Sequence, residues 1–416
     1  MHIGIYTEVS PRNGGVAQYT SLVIDGIAEW KHRHAGDEIT LFAPGQMHRR
    51  GLDHLTLAHQ AGPQRVVAWA RENARLPIVR RALQTAYGWR RNATLTDAPV
   101  VDQRASQGIR ARGVQLLYFP SVMRLAVETD IPSIVAVHDT QHRRQPHFPE
   151  YASPGLWSEI ESTLRLAARK SVLMVAESEV GREDLLQAYS SHGLTPDRVM
   201  VVPYTTPSYL RTCDLATAPA RARAKFDLPD RYLFYPANFL PHKNHVALIE
   251  ALGIVRRRYG LSPALVLVGD RGPGLRERTH AELMAAARRV GVADQLRYLG
   301  FVDDDDVATL YAAADLLVMP SYFGPTNLPV IEAWAARCPV ITANIRGIRE
   351  MCQDAAVLVD PGSVDDIADA IHHLWTDASA RAALVARADD RLKAFSPEVF
   401  RNALCDVLEE GVRRLC

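Results

Sequence analysis

Residues 316–334 read LLVMPSYFGPTNLPVIEAW and join three kinds of local structure. The first four, Leu316–Met319, are a short apolar run that predicts a strand covered on both faces. Glycine, proline, threonine and asparagine then predict a loop, and a helix is expected to begin near Pro329, because proline suits a first helical turn. A buried strand followed by a loop and a helix is the repeating unit of a parallel α/β sheet.

The same unit recurs in both halves of the chain, which predicts two parallel sheets of the α/β class. The 416 residues are too many for one ordinary core and suit two domains. Helices are expected at Val16–Trp30 and His245–Arg258. The predicted strands are His2–Thr7, Ile39–Ala43, Leu116–Phe119, Ile134–His138 and Val172–Glu177 in the first half, and Tyr232–Pro236, Ala264–Gly269, Leu296–Leu299, Leu316–Met319 and Val340–Thr342 in the second.

Between the two halves, residues 204–229 lack a strand pattern and contain prolines, threonines and a serine. This composition favours an interdomain connection. The predicted division is an N-terminal domain over residues 1–205, a linker over 206–229 and a C-terminal domain over 230–396.

The composition argues against several classes of protein. The formal net charge of +1 gives no basis for nucleic-acid binding. The five cysteines form no CxxC pair, so neither a disulfide framework nor a zinc site is expected, and a cytoplasmic location fits best. No apolar run reaches the length of a spanning helix, and residues 1–10 lack the pattern of a signal peptide.

Residues 62–113 are strongly basic, with ten arginines and three acidic residues. One interpretation is a solvated, mostly helical insertion. The other is a basic face that contacts an anionic membrane or a diphosphate-bearing acceptor. The arginines are Arg65, Arg71, Arg75, Arg80, Arg81, Arg90, Arg91, Arg104, Arg110 and Arg112.

Candidate ligand-binding residues follow several of the predicted strands. Gly14 and Gly15 lie between the first strand and the first helix, where glycine lets backbone amides approach a ligand and the helix N-terminus favours an anion. A tight strand-to-helix turn would use the same residues. The loop is not a G-x-G-x-x-G sequence, so a nicotinamide fingerprint is not supported.

Two further candidates carry a titratable side chain. His138 is expected at the carboxyl end of a strand, where doubly wound sheets bind ligands. The alternative for His138 is a core histidine that is hydrogen-bonded to the backbone. Lys243 lies in the loop after the first strand of the second half and is well placed for a phosphate. The alternative for Lys243 is a surface lysine.

The loop before the helix near Pro329 is rich in exposed amides. Glu332 lies about one turn inside that helix, where a carboxylate either compensates the helix dipole or accepts hydrogen bonds from both hydroxyls of a ribose. The other candidates are Gly324, Pro325, Thr326, Asn327 and Leu328.

Asp303–Asp306 is a run of four acids before an apolar-periodic helix. We interpret the run as an N-cap and first-turn acids rather than as a metal site. Neither a metal nor a cofactor is therefore expected.

Together these segments resemble a family-4 glycosyltransferase along nearly the whole chain, in the family's order. The resemblance rests on the Gly14–Gly15 loop, VHDTQH at 137–142, VAESEVGREDLL at 175–186, YPANFLPHKNH at 235–245, LVLVGD at 265–270, LGFVDDDDVATLYAAADLLVMPS at 299–321 and YFGPTNLPVIEAWAARCPVI at 322–341.

The resemblance implies a GT-B fold, in which two Rossmann-like domains face each other across a cleft. The acceptor would bind mainly to the first domain and the nucleotide-sugar donor to the second, and a final helix over 397–416 would pack back on the first. Transfer would retain the anomeric configuration without a metal ion. Lys243 and amides at 324–328 would neutralise the leaving diphosphate. His138 would bind the donor sugar and Glu332 the ribose.

Three positions depart from the family's pattern. Gly324 replaces a glutamate that usually lies eight residues before Glu332, so the following loop residues become candidates for its sugar contact. A glutamate at this position is expected to fit the backbone poorly. Asn238 stands where an arginine commonly precedes the donor-phosphate lysine, and Cys338 replaces a glycine.

The YFGPTN and HKNH blocks resemble those of bacterial polysaccharide mannosyltransferases, which favours GDP-mannose as donor over UDP-sugars or dTDP-rhamnose. The acceptor is expected to be a glycan, a lipid-linked molecule or a small molecule, and Gly14 and Gly15 would lie near it or near the β-phosphate. Because Gly324 and Asn238 replace the usual side chains, a non-catalytic nucleotide-sugar-binding protein is an alternative. A GT-B epimerase or phosphorylase is another, although no acid/base or pyridoxal machinery is evident.

Overall fold

The computed structural model describes residues 1–7, 14–43, 101–152 and 155–415, together with the backbone course of 56–59. Most of the predicted basic face, residues 62–100, lies outside these ranges. Within them the chain forms two parallel sheets, and the strand side chains of both sheets are largely buried, as continuous apolar runs predict.

Seven parallel strands form the first sheet. They are β1 (His2–Tyr6), β2 (Glu38–Ala43), β3 (Thr56–His59), β4 (Leu116–Phe119), β5 (Ser133–Ala136), β6 (Leu173–Ala176) and β7 (Val199–Val201). Their spatial order is β3-β2-β1-β4-β5-β6-β7. The order reverses between β1 and β4, and at such a point the loops that follow the strands leave a crevice.

Six parallel strands form the second sheet. They are β8 (Tyr232–Pro236), β9 (Ala264–Val268), β10 (Leu296–Tyr298), β11 (Leu316–Met319), β12 (Val340–Ala343) and β13 (Val357–Val359). Their order, β10-β9-β8-β11-β12-β13, reverses between β8 and β11. The second sheet therefore repeats the winding of the first and has its own crevice at the carboxyl edge.

Helices connect the strands. Those of the first half are α1 (Gly15–Arg33), α2 (Gln103–Arg110), α3 (Leu125–Glu128), α4 (Gln141–Arg144), α5 (Leu156–Lys170) and α6 (Glu179–Tyr189). Two more, α7 (Ser208–Arg211) and α8 (Ala218–Phe226), lie between the sheets in sequence. Those of the second half are α9 (His245–Tyr259), α10 (Leu275–Val290), α11 (Asp304–Ala313), α12 (Leu328–Ala335), α13 (Arg346–Cys352), α14 (Val364–Thr376), α15 (Ala378–Arg391) and α16 (Pro397–Arg413).

The predicted fold class is confirmed, and every predicted strand is present with small shifts at its ends. The short strands β3, β7 and β13 were not predicted. All three lie at a sheet edge and have only three or four residues, and β7 and β13 are partly exposed although their sequences, VMV and VLV, are apolar. Such short runs give too little pattern to predict a strand.

One strand boundary needs correction because it concerns a candidate site residue. His138 was predicted to end a strand, but β5 ends at Ala136. Val137 still donates a hydrogen bond to the Val175 carbonyl at 2.8 Å, and the chain then leaves the sheet. His138 and Glu177 therefore lie on loops just beyond the carboxyl edge.

The predicted linker, residues 206–229, contains the helices α7 and α8. Helix α8 packs against α11, and Lys225 pairs with Asp306 at 2.7 Å, so this part of the linker is attached to the second half. The division at residues 205 and 230 stays a prediction.

The last helix, α16, packs against α1 of the first half. Gly26 permits the close approach, since a Cβ there would lie 2.7 Å from Leu404 Cδ2 and 3.0 Å from Phe400 Cε1. Arg414 then pairs with Asp197 at 2.9 Å. This is the arrangement that the resemblance implied for residues 397–416.

The acidic run Asp303–Asp306 lies at the start of α11 as predicted, with Asp303 at the N-cap position and the next three acids in the first turn. The side chain of Asp303 makes no capping hydrogen bond. Asp304 instead accepts a hydrogen bond from Gln18 of α1 at 3.0 Å, and Asp306 is held by Lys225. In the described part of the chain, no group of His, Cys, Asp and Glu is arranged to hold a metal ion.

Two further observations concern the described residues alone. No helix among them is long and apolar enough to cross a membrane. Cys213, Cys338, Cys352 and Cys405 are free thiols.

Candidate active site

The candidate residues lie on loops that follow β1, β5 and β6 of the first sheet and β8 and β11 of the second. We call these five segments the cleft loops. Contacts between them show that the two carboxyl edges face each other: Thr326 Oγ1 donates to Glu177 Oε2 at 3.2 Å, and Gln145 Nε2 donates to the Tyr322 carbonyl at 3.3 Å. The loops that carry the candidate residues therefore lie together between the two sheets.

Gly14 and Asn238 meet across the cleft. A Cβ built on Gly14, which has a φ of 60°, would lie 3.5 Å from Asn238 Nδ2. Asn238 Oδ1 accepts a hydrogen bond from the Asp270 amide at 3.0 Å, which joins the loops after β8 and β9. Outside the local backbone, no atom of the described residues lies within 4 Å of a Cβ at Gly15, the first residue of α1. The N-terminus of a helix favours an anion.

The loop after β11 depends on glycine at position 324. The φ of Gly324 is 137°, a region that side chains rarely adopt. A Cβ there would also lie 2.8 Å from Asn327 Oδ1 and 2.9 Å from the Thr326 carbonyl oxygen. The expectation that glutamate fits this backbone poorly is therefore confirmed.

The same loop is held against helix α13. A Cβ at Gly347 would lie 2.2 Å from the Pro325 carbonyl oxygen, so only glycine allows this approach. Leu328 is buried at the start of α12. The loop is thus fixed at both of its sides.

Asn327 has an amide donor without a partner. It precedes α12 but makes no capping bond, and its side chain is only 7% exposed. Its Nδ2 is buried and has no hydrogen-bond partner among the described residues. Burying an unpaired donor costs about 1–3 kcal/mol, which a bound ligand would offset.

Lys243 ends a short 3-10 turn, Pro241–Lys243, just before α9. Lys243 is half-buried, and its amine forms no hydrogen bond or ion pair with the described residues. Burial lowers the pKa of Lys243 to about 8, against the opposing attraction of Asp139 and Glu150. An unpaired amine of this kind is suited to an anionic ligand.

His138 combines a paired ring nitrogen with one that has no partner in the described residues. Its Nδ1 is paired with Glu177 Oε1, and its ring lies edge-on to Tyr19 at 5.0 Å between centroids. Its Nε2 is buried without a partner in the described residues. Burial disfavours the imidazolium, but the adjacent Glu177 carboxylate outweighs that effect and raises the pKa of His138.

Glu177 was not predicted as a site residue. Its carboxylate accepts hydrogen bonds from His138 and from the Tyr204 hydroxyl at 2.8 Å, as well as the bond from Thr326. The signal that selected His138, a polar residue after a buried strand, also applies to Glu177.

Glu332 is buried in α12, and both of its oxygens already accept hydroxyl hydrogen bonds. The donors are Tyr209 at 2.5 Å to Oε1 and Tyr311 at 2.8 Å to Oε2. Burial raises the pKa of Glu332, although the two tyrosines oppose that effect. The sequence predicted that Glu332 accepts hydrogen bonds from two ribose hydroxyls. Because tyrosine hydroxyls already donate to both oxygens, a bound ribose would have to share Glu332 with them, and the ribose contact stays a prediction.

Two further contacts hold the facing edges together. Glu150 accepts hydrogen bonds from Nδ1 and the backbone amide of His242, at 2.5 and 3.1 Å. Glu350 of α13 accepts from the amides of Glu179 and Val180, at 3.0 and 2.8 Å, and so caps α6 from the opposite side. The structure is therefore closed around the site.

Comparison with known proteins gives the family of the second half. Residues 216–391 match the family described as glycosyl transferases group 1. This region is similar to a glycosyltransferase group 1 domain. It contains the loop candidates from Asn238 to Glu332, and the transferase class predicted from the sequence is supported by this match and by the names of related proteins.

Two relatives of this glycosyltransferase domain have names that bear on function. The D-inositol 3-phosphate glycosyltransferase of Salinispora tropica is 33% identical over 58% of this chain and 51% of its own length. The O-antigen chain mannosyltransferase B of Escherichia coli is 28% identical over 60% of this chain and 64% of its own length. The matches thus span about half to two thirds of these relatives.

Solved structures extend the likeness to the whole chain. Anabaena HepE, in complex with UDP and glucose, is 20% identical with a TM-score of 0.69, and the match covers 98% of this chain and 99% of HepE. WaaG, a glycosyltransferase involved in lipopolysaccharide biosynthesis, is 15% identical with a TM-score of 0.68, covering 97% of this chain and 99% of WaaG. The predicted GT-B fold is confirmed.

Proposed function

We propose that this chain is a retaining, metal-independent glycosyltransferase that transfers a hexose from a nucleotide-sugar to an acceptor. The observation that carries the proposal is the unpaired amine of Lys243, half-buried at the closed cleft. A diphosphate would supply the missing counter-charge. The buried Asn327 Nδ2 and His138 Nε2, which also lack partners in the described residues, would then bind sugar or phosphate oxygens.

In the proposed reaction these groups stabilise charge where it develops. Lys243 and the amides at 324–328 receive the departing diphosphate, and amides near Gly14 and Gly15 lie by the β-phosphate or the acceptor. His138 Nε2 hydrogen-bonds the donor sugar. The bond from the anomeric carbon to the phosphate oxygen breaks, and the acceptor oxygen attacks from the same face. The leaving phosphate oxygen takes the acceptor proton, so no protein base is needed.

Mannose, donated by GDP-mannose, is the favoured sugar. The YFGPTN loop and the E. coli relative named as a mannosyltransferase support this choice. A glycan, a lipid-linked molecule or a small molecule would serve as acceptor, and the names of the two relatives, one for an O-antigen chain and one for inositol phosphate, span that range.

A thermal-shift panel tests the donor, because a ligand that binds only the folded chain raises its melting temperature by mass action. The panel comprises GDP-mannose, UDP-glucose, UDP-N-acetylglucosamine and dTDP-rhamnose. We expect the largest shift with GDP-mannose and, with acceptor extracts, an α-linked product from that donor. Stabilisation without transfer or donor hydrolysis would favour the non-catalytic binding protein.

Peripheral contact with the cytoplasmic membrane surface is a further part of the proposal. It rests on the basic segment 62–113, of which the described residues Arg104, Arg110 and Arg112 are exposed. Each basic side chain near an anionic surface contributes about 1 kcal/mol. Flotation with anionic vesicles at low salt should recover the chain, whereas equal recovery with neutral vesicles, or none, contradicts the contact.

A further inference from the structure

Glu177 lies where the two halves of the molecule meet, and its side chain is only 3% exposed. Three hydrogen-bond donors contact its carboxylate: His138 from the loop after β5, Tyr204 from the segment after β7, and Thr326 from the loop after β11. A buried carboxylate is costly unless it is paired and hydrogen-bonded. Glu177 therefore constrains the side chains that contact it.

A second buried carboxylate, Glu161, shows by comparison how the partners of Glu177 differ. Glu161 accepts hydrogen bonds from His142 at 3.0 Å and from Tyr189 at 3.2 Å, much as Glu177 does from its histidine and tyrosine. Glu161 is also paired with two arginines, Arg143 and Arg165. Within the described residues, the ion pairs of Glu177 involve His138 alone. The charge of Glu177 thus acts on one imidazole.

The contact has a consequence for the two ring nitrogens of His138. Because Nδ1 donates a hydrogen bond to Glu177, the ring orientation is set and Nε2 is the nitrogen left for a ligand. Nε2 is buried and unpaired within the described residues. The same pairing favours the charged form of the ring.

The second oxygen of Glu177 links this histidine to the loop of the glycosyltransferase domain. Thr326 donates to Oε2 from a loop whose shape is fixed by Gly324 and by the close contact of Pro325 with Gly347. If the two halves separated, the Thr326 bond would be lost and Oε2 would need another donor. The arrangement of His138 is thus completed when the two halves are together.

We propose that Glu177 is a positioning residue, which holds the His138 ring so that Nε2 meets the donor sugar, and that Thr326 couples this state to closure of the two domains. The inference rests on the proposed transferase function. The inference adds Glu177 to the proposed function as a residue that contacts no substrate itself and acts through His138, which does.

Glu177→Gln is the most direct variant, and Glu161→Gln is its matched control. Glutamine retains the shape of Glu177, can accept from His138 and can donate to Thr326, but it removes the negative charge. We expect the pKa of His138, followed by NMR, to fall in Glu177→Gln, and the corresponding inflection of kcat/KM to move to lower pH. We expect kcat to fall about tenfold or more, the effect of losing one hydrogen bond to a charged group, with little change in donor KM.

Glu161→Gln should lower thermal stability, because Arg143 and Arg165 lose their counter-charge, without moving the His138 titration. The proposal is contradicted if Glu177→Gln leaves the His138 pKa and the pH profile of kcat/KM unchanged. It is also contradicted if Glu177→Gln and Glu161→Gln each lower kcat only in proportion to the stability that they lose. A wild type that turns over no nucleotide-sugar would refute the transferase function, and the NMR titration would still decide whether Glu177 controls His138.

Thr326→Val tests the coupling across the domains. It removes the hydroxyl that contacts Glu177 and keeps the branched shape. In a double-mutant cycle with Glu177→Gln, the losses in kcat should be less than additive, because both changes disrupt one network. Fully additive losses would contradict the coupling and leave only the link between Glu177 and His138.

Discussion

The Tyr209 hydroxyl donates a 2.5 Å hydrogen bond to Glu332 Oε1. Tyr209 belongs to the short helix α7 of the predicted linker, and Glu332 to α12 of the glycosyltransferase domain. The carboxylate predicted to bind the ribose is therefore bonded to the segment that connects the two halves. In the proposed function, the donor ribose competes with Tyr209 for one oxygen of Glu332.

Glu332→Gln should weaken donor binding. The substitution keeps the shape but replaces one acceptor oxygen with an amide donor. The expected loss is about 1.5–3 kcal/mol, the range for hydrogen bonds to charged groups. Because the ribose is remote from the reacting carbon, the loss should appear in donor affinity, measured by titration calorimetry, more than in kcat.

Tyr209→Phe separates the ribose contact from a structural role of Glu332. Removing the competing hydroxyl should raise donor affinity by about 0.5–1.5 kcal/mol, the net value of one hydrogen bond. Tyr311→Phe is the comparison, since this fully buried tyrosine holds the other oxygen, and its loss should lower stability without improving affinity. Unchanged donor affinity in Glu332→Gln would rule out the ribose role.

Gly324→Glu should reduce both stability and activity, although it restores the side chain common in the family. The positive φ of Gly324 and the 2.8 Å approach of its Cβ position to Asn327 Oδ1 oppose any side chain. A backbone conformation of this type costs a side chain about 1–3 kcal/mol. Thermal unfolding and turnover at saturating donor measure the two effects.

Gly108→Glu is the control, because Gly108 lies in helix α2 and a Cβ there meets nothing within 4 Å in the part of the chain that the structure describes. It should leave stability unchanged or slightly raised. Markedly faster turnover in Gly324→Glu would mean that the natural chain is a weakened catalyst, and the binding-protein alternative would gain support.

Lys243 should make donor binding depend on pH. Its pKa of about 8 in the folded chain lies below the ordinary 10.5, so part of the amine is neutral near pH 8. A bound diphosphate favours the charged form, and about half a proton should be taken up per donor at pH 8, and less at pH 6.5. Calorimetry in buffers of different ionisation enthalpy measures this uptake.

The lowered pKa of Lys243 also predicts how the free energy of unfolding varies with pH. A lysine whose pKa is lowered by folding destabilises the chain fully below the folded pKa, and this penalty disappears as the pH rises to the unfolded value of 10.5. Lys243→Met should therefore stabilise the free chain at pH 7 and less so near pH 10. Lys225→Met, which removes an exposed lysine paired with Asp306, should show no such gain.

Lys243→Met also serves as the control for proton uptake. If donor binding still takes up a proton in this variant, the uptake belongs to another group.

Chelation should not abolish transfer. Asp304 and Asp306 of the acidic run are engaged by Gln18 and Lys225, and no other group of ligands is assembled in the described residues. Turnover with EDTA should equal turnover without it. A loss that magnesium or manganese restores would overturn the metal-independent mechanism.

The sequence predicted where most of the candidate residues lie relative to the sheets because of one geometric rule. In a parallel sheet, residues that directly follow buried strands all lie at the carboxyl edge. Asn238, Lys243 and the loop at 324–328 were placed there by the apolar runs before them, and the structure agrees. The rule also covers Glu177, which was predicted to end its strand just as His138 was, but only His138 was selected as a candidate.

Other features could not be read from local patterns. Tyr209 and Glu332 are 123 positions apart, and Glu177 and Thr326 are 149 apart. Such contacts depend on how the two sheets face each other, which neither periodicity nor spacing specifies. The conformation of Gly324 was predictable only in part. A glycine in this loop suggested special backbone geometry, but only the neighbouring atoms explain why glutamate fits poorly.

The most direct test of the account is the release of nucleoside diphosphate from the preferred donor by the wild type and by Lys243→Ala, both at saturating donor and acceptor. Losing one charge-assisted contact to the departing diphosphate should cost about 2–4 kcal/mol of transition-state stabilisation. That corresponds to roughly a 30- to 1,000-fold lower rate, with the fold retained. Equal rates in the two proteins, or no release by the wild type from any nucleotide-sugar, would contradict the central claim.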